Sequence, residues 1–117
     1  MKLSALAPTF AVCRLDAKAL IPEWATRGIF FSVSRTDEEL SIVCEEALVP
    51  DGIRCEKNWR ALKVAGPLDF ALTGILASIA NPLAAAGISL FAVSTFDTDY
   101  VLVKIQDFER ASSILGL

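Results

Sequence analysis

The sequence predicts an α+β fold in which antiparallel-rich sheets carry helices on one face. Three observations predict it. Short β-rich runs alternate with turn signals along most of the chain. A single long apolar segment, "LTGILASIANPLAAAG" (72–87), reads with helical rather than strand periodicity. And a hairpin pattern occurs twice, "FSVSRTDEELSIV" (31–43) and "FAVSTFDTDYVLV" (91–103).

In chain order, "TFAVCRL" (9–15) is a strand, and "DAKALIPEWATRG" is a crossover that Pro22 limits to a short helix or turn. "IFFSVSR" (29–35) and "LSIVCEE" (40–46) are strands joined by "TDEE". "ALVPDGIRCEKN" reads as a loop with a Pro-Asp-Gly turn. "WRALKVAG" (59–66) is a strand leading into the long helix over 72–86. "ISLFAVS" (88–94) and "YVLVKI" (100–105) form the second hairpin. The chain closes on an amphipathic helix with Asp107 as its N-cap and Phe108, Ala111 and Leu115 on one face.

The two hairpins align without a gap at an offset of 60, with Phe31/Phe91, Val33/Val93, Ser34/Ser94, Asp37/Asp97 and Val43/Val103 identical. Each hairpin follows a strand and a crossover, which is the ferredoxin-like split βαβ plan. The first copy has a stunted crossover and the second no final strand of its own. Two incomplete units, 1–57 and 58–117, are therefore expected to complete each other, with residues 2–7 adding an edge strand.

Composition narrows the function. The chain has 117 residues, 54% hydrophobic, and a net charge of −3. One ordinary domain's worth of core is available, and scattered basic residues give no footprint for nucleic acid or an anionic membrane. The uncharged stretch from Phe70 to Phe96 is long enough to span a bilayer, but Asn81-Pro82 and Gly87 break it, so no membrane span is expected. No signal peptide is expected either, because the first residues lack a long apolar run. Cys13, Cys44 and Cys55 are odd in number and include no C-x-x-C, which fits a reduced, cytoplasmic chain.

Enzyme chemistry finds little support. There is no histidine, no G-x-S-x-G and no phosphate-binding glycine loop. Asp37, Glu38, Glu39, Glu45 and Glu46 lie where solvated charge is expected, and the Asp97-Thr98-Asp99 stretch alone is too little for a metal. No cofactor is expected.

The phrases "FFSVSRTDEELSIVCEE" and "WRALKVAGPLDFALTGILASIANPLAAAGISLFAVSTFDTDYVLVK" resemble the ACT domain, and in particular the short bacterial tandem-ACT proteins. That family is also similar to the ACT pairs of the cytosolic arginine sensor of the TOR pathway. The resemblance implies tandem ACT units without catalytic activity that bind an amino acid, or a similar small ligand, where a helix start meets a facing strand or loop. Carried onto this sequence, the ligand-binding residues are Thr73, Gly74, Ile75 and Leu76 with Ser94, Thr95, Phe96, Thr98 and Asp99. A helix start suits a carboxylate, and Asp99 suits an ammonium, whereas Asp97 reads as a turn residue. The alternative is an interaction module that keeps the fold and binds no small molecule. Incomplete units leave exposed apolar surface, so a homodimer is expected.

Overall fold

The computed structural model describes residues 2–66 and 74–117. Among them are six strands, β1 (Leu3–Leu15), β2 (Ser32–Arg35), β3 (Leu40–Glu45), β4 (Cys55–Val64), β5 (Leu90–Ser94) and β6 (Asp99–Lys104). Two α-helices, α1 (Ile75–Ala85) and α2 (Phe108–Ile114), accompany them. The chain divides into two compact units, a first of Pro8–Trp59 and a second of Met1–Ala7 with Arg60–Leu117.

The first unit runs β1, a 3-10 turn at Glu23–Thr26, β2, β3, a 3-10 turn at Glu46–Leu48, and the start of β4. Its strand order is β2-β3-β1-β4. This is the βαββαβ plan with both helices reduced to single turns, Pro22 standing directly before the first. Cys13 faces Ile42 and Ala11 faces Cys44 in the antiparallel register. Ala11, Cys13, Leu40, Ile42 and Cys44 are buried with Ala25 beneath the crossover. On the opposite side Phe10 and Phe30 meet edge to face, ring centroids 5.7 Å apart. Residues 55–58 belong to β4 rather than to the expected loop, and a 3-10 turn occupies part of that loop instead.

The second unit begins on the rest of β4 and continues through α1, β5, β6 and α2. Its fourth strand comes from the chain's start: the order is β1-β4-β6-β5, and Ala65 N–H donates to the Lys2 carbonyl at 2.8 Å. The residues of β1 and of β4 are therefore divided between the two units. Val64, Val101 and Val103 are buried against Ile79 and Leu83 of α1 and Ala111 of α2, with Leu3, Phe108 and Leu115 packed around them.

Helix α1 carries its buried residues at Ile79 and Leu83, one turn apart. It ends in a Schellman arrangement, with Ile88 N–H donating to the Leu83 carbonyl at 2.9 Å and Gly87 N–H to Ala84 at 3.0 Å. Arg110 of α2 donates to the Ala86 carbonyl, a cation at the negative end of α1. Asp107 precedes α2 but makes no side-chain cap. It lies 3.7 Å from the Arg110 guanidinium, three residues on. The predicted residues Thr73 and the start of the 72–86 helix before Gly74 lie outside the described residues.

The hairpins correct the sequence alignment by one residue. Arg35 pairs with Leu40 and Ser32 with Val43 in the first hairpin. Ser94 pairs with Asp99 and Phe91 with Leu102 in the second. Equivalent positions are therefore 59 apart, not 60. Both four-residue tips open on a threonine, with Thr36 N–H donating to Glu39 at 2.9 Å and Thr95 N–H to Thr98 at 2.8 Å. A slip of one residue exchanges the two faces of a strand. In the structural register the inward residues Ile42 and Cys44 match Val101 and Val103, and the structural counterpart of Asp97 is Glu38 rather than Asp37.

Candidate functional site

The second unit supplies the candidate site. Thr98, only 5% exposed, is the one buried polar residue among those described. Its Oγ1 donates to the Val64 carbonyl at 2.5 Å, holding the β5–β6 tip to β4. The Thr95 hydroxyl accepts from Thr98 N–H at 3.3 Å and donates to its carbonyl at 3.1 Å. Both threonines thus build the turn. Thr95, not Asp97, supplies the side-chain bonds that close it.

Asp99 begins β6 on the side that faces the helices, since Val101 and Val103 follow it at two-residue spacing and lie in the helix-packed core. Across the hairpin Ser94 donates from Oγ to Asp99 Oδ1 at 2.5 Å. That bond fixes the carboxylate while leaving acceptor capacity on it. Gly74 stands at the entry to α1 with φ 78°, in the left-handed region, and a Cβ there meets none of the described residues within 4 Å. Ile75 and Leu76 are partly buried and pack on the Val64–Val101 core, so their side chains are structural and only their backbone amides are suited to a ligand. Phe96, 78% exposed, projects at the hairpin tip.

The opposite face of the same hairpin holds a cavity of about 230 Å³ lined by Lys63, Gly66, Thr95, Asp97, Thr98 and Tyr100. Lys63 and Tyr100 each precede an inward valine, so alternation sends them to the far face. The Lys63 ammonium lies 6.0 Å from the centre of the Tyr100 ring. Only Thr95 and Thr98 are shared with the sequence-predicted set. Lys63 and Tyr100 were legible as outward residues of strands, but nothing local in the sequence marks them as neighbours across β4 and β6. Among the described residues no cluster of acidic, thiol or imidazole groups has the geometry to hold a metal.

The order strand, helix, two strands and helix, with a further strand from the chain's start, is the ferredoxin-like plan. The family comparison agrees: the ACT domain model matches residues 54–116, and a second model, for an N-terminal domain, matches residues 8–52. The chain belongs to the ACT-domain family. It is similar to the human cytosolic arginine sensor for mTORC1 subunit 1, 52% identical over 82 residues, covering 63% of this chain and 25% of that protein. The rat protein is 41% identical over 94 residues. The chain thus spans about a quarter of the length of these curated relatives. Among solved structures, a crystal structure from Agrobacterium tumefaciens matches with TM-score 0.92 and 42% identity, covering 97% of this chain and 85% of that one. Clostridium acetobutylicum aspartate kinase shares the fold, with TM-score 0.69 at 17% identity, over 96% of this chain and 32% of its own. No helix among the described residues is long and apolar enough to cross a membrane.

Proposed function

We propose that this protein is a non-catalytic, cytoplasmic regulatory module that binds one free amino acid in its second unit. The observation that carries the reading is the Asp99 carboxylate, oriented by Ser94 on the helix-facing side of β6. There it accepts the ligand's ammonium. The backbone amides at the entry to α1 receive the carboxylate, and Gly74 leaves room for the approach. Thr95 and Thr98 shape the hairpin that presents Asp99, and Phe96 closes over the ligand side chain. Relatives named as arginine sensors make L-arginine the first ligand to test. The active species is a homodimer, and no cofactor, nucleic acid or membrane takes part.

A thermal-shift screen against the twenty amino acids tests this, since a ligand that binds only the folded chain raises Tm by mass action. A rise with at least one amino acid is expected. Sedimentation equilibrium is expected to give twice the 12.6 kDa chain mass, and a monomer at micromolar concentration removes the dimer from the proposal. A second reading, an interaction module without a small ligand, draws on the exposed apolar residues Leu20, Ile29 and Phe31. It takes the lead if no amino acid shifts Tm.

A further inference from the structure

The chain's three cysteines, far apart in sequence, meet in the first unit. Cys13 and Cys44 are buried in its core, and the partly exposed Cys55 packs against the same cluster. They sit on three neighbouring strands, β3, β1 and β4. Cys13 lies on β1, between the strands that carry the other two.

The register distinguishes the two possible pairs. Arg14 N–H donates to the Arg54 carbonyl at 2.9 Å, while Ala65 N–H reaches back to Lys2, so β1 and β4 run antiparallel. In an antiparallel ladder a bond of this kind flanks a non-hydrogen-bonded pair made by the preceding residue of one strand and the following residue of the other. A regular ladder at this bond sets Cys13 opposite Cys55 at such a position, where Cα atoms are about 4.5 Å apart. That separation lies inside the range a disulfide spans. Cys44, by contrast, faces Ala11, and Cys13 faces Ile42. Cys13 and Cys44 are diagonal neighbours, for which Cα separations are about 7–8 Å, beyond what a disulfide bridges without backbone movement.

We propose that Cys13 and Cys55 form a thiol–disulfide switch, in which a small hydroperoxide oxidises them to a cross-strand disulfide that fastens β1 to β4 in the first unit. Cys55 is the entry point because it alone of the three reaches solvent. Its sulfur, as thiolate, attacks a peroxide oxygen; the O–O bond breaks, and the leaving oxygen takes the thiol's proton and departs as water or alcohol. The Cys55 sulfenic acid is then attacked by the Cys13 sulfur, the S–O bond breaks, and the hydroxyl leaves as water with the Cys13 proton. Two thiols and one hydroperoxide give one disulfide, one water and, from hydrogen peroxide, a second water. Burial raises the Cys55 thiol, and the hydrogen bond to Cys44 together with burial raises Cys13. Oxidation is therefore slow at neutral pH and accelerates as pH rises.

The test treats the whole reduced protein with hydrogen peroxide at mildly alkaline pH. Remaining thiols are then blocked under denaturing conditions and peptides mapped without reductant. The expected product links the Cys13 and Cys55 peptides within one chain, leaves Cys44 alkylated, and has a Tm that rises and returns on adding dithiothreitol. Cys44→Ala keeps the link. Cys55→Ala, a change at a part-exposed position, abolishes it and the Tm rise together. A Cys13–Cys44 link, a link only between chains, terminal oxidation of Cys55 without a link, or three alkylatable thiols after exposure overturns the proposal.

Discussion

Ser94 Oγ and Asp99 Oδ1 are joined by a 2.5 Å hydrogen bond across the first pair of the β5–β6 hairpin. At the equivalent pair of the first hairpin stand Arg35 and Leu40. Leu40 is fully buried, and the Arg35 guanidinium donates to the carbonyls of Ala17 and Ala19. A place that presents a carboxylate in the second unit is thus filled by a leucine in the first, and its partner position holds a cation tied to the chain's own crossover. The two halves share a fold, but only the second carries a carboxylate there.

Asp99→Asn preserves shape and removes charge. A hydrogen bond to a charged group contributes roughly 1.5–3 kcal/mol, so amino-acid affinity is expected to fall about 10- to 100-fold. Asp97→Asn lines the far-face cavity and is expected to leave affinity within about twofold, within the spread expected of a surface change. Calorimetry on both variants checks this, and equal losses contradict the assignment of the two aspartates.

Thr98→Val removes the buried hydroxyl that holds the hairpin tip to Val64. Losing a buried hydrogen bond and leaving its partner poorly satisfied costs about 1–3 kcal/mol. Thr98→Ser, which keeps the donor, is expected to cost less than Thr98→Val. Urea unfolding of the pair measures the difference.

Gly28→Ala is expected to destabilise the first unit by roughly 1–3 kcal/mol, the range for a non-glycine residue held in strained backbone. Gly28 has φ 89°, and an added Cβ there collides with the Glu45 carboxylate. That carboxylate accepts Ile29 N–H at 2.8 Å, so moving it breaks a bond as well. A denaturation midpoint unchanged from wild type contradicts this.

The fold was largely legible because its signals are redundant. Periodicity placed Val64, Val101 and Val103 in strands and read the apolar stretch that holds Ile79 and Leu83 as a helix. The hairpin register was misread by one residue because β-branched and serine residues lie on both faces of these strands, so chance identities such as Val33/Val93 outweighed the true match of Thr36 with Thr95. The extent of β4 was missed because its ladder with β1 is set by residues some forty apart, such as Arg14 and Arg54. At the site, Asp99 stood out as an aspartate starting a strand. Its bond to Ser94 depends on register, and so does the meeting of Lys63 with Tyr100. Thr98 was expected among the ligand-binding residues, and its burial and its bond to the Val64 carbonyl depend on a tertiary contact that local sequence does not show.

The most direct test is isothermal titration of the intact protein with L-arginine, followed by any other amino acid that raises Tm. The account predicts saturable binding of one molecule per chain, weakened by Asp99→Asn and retained in Arg35→Met. Two equivalent molecules per chain contradict the inequality of the units, and no heat with any amino acid up to millimolar concentration contradicts the sensing role itself.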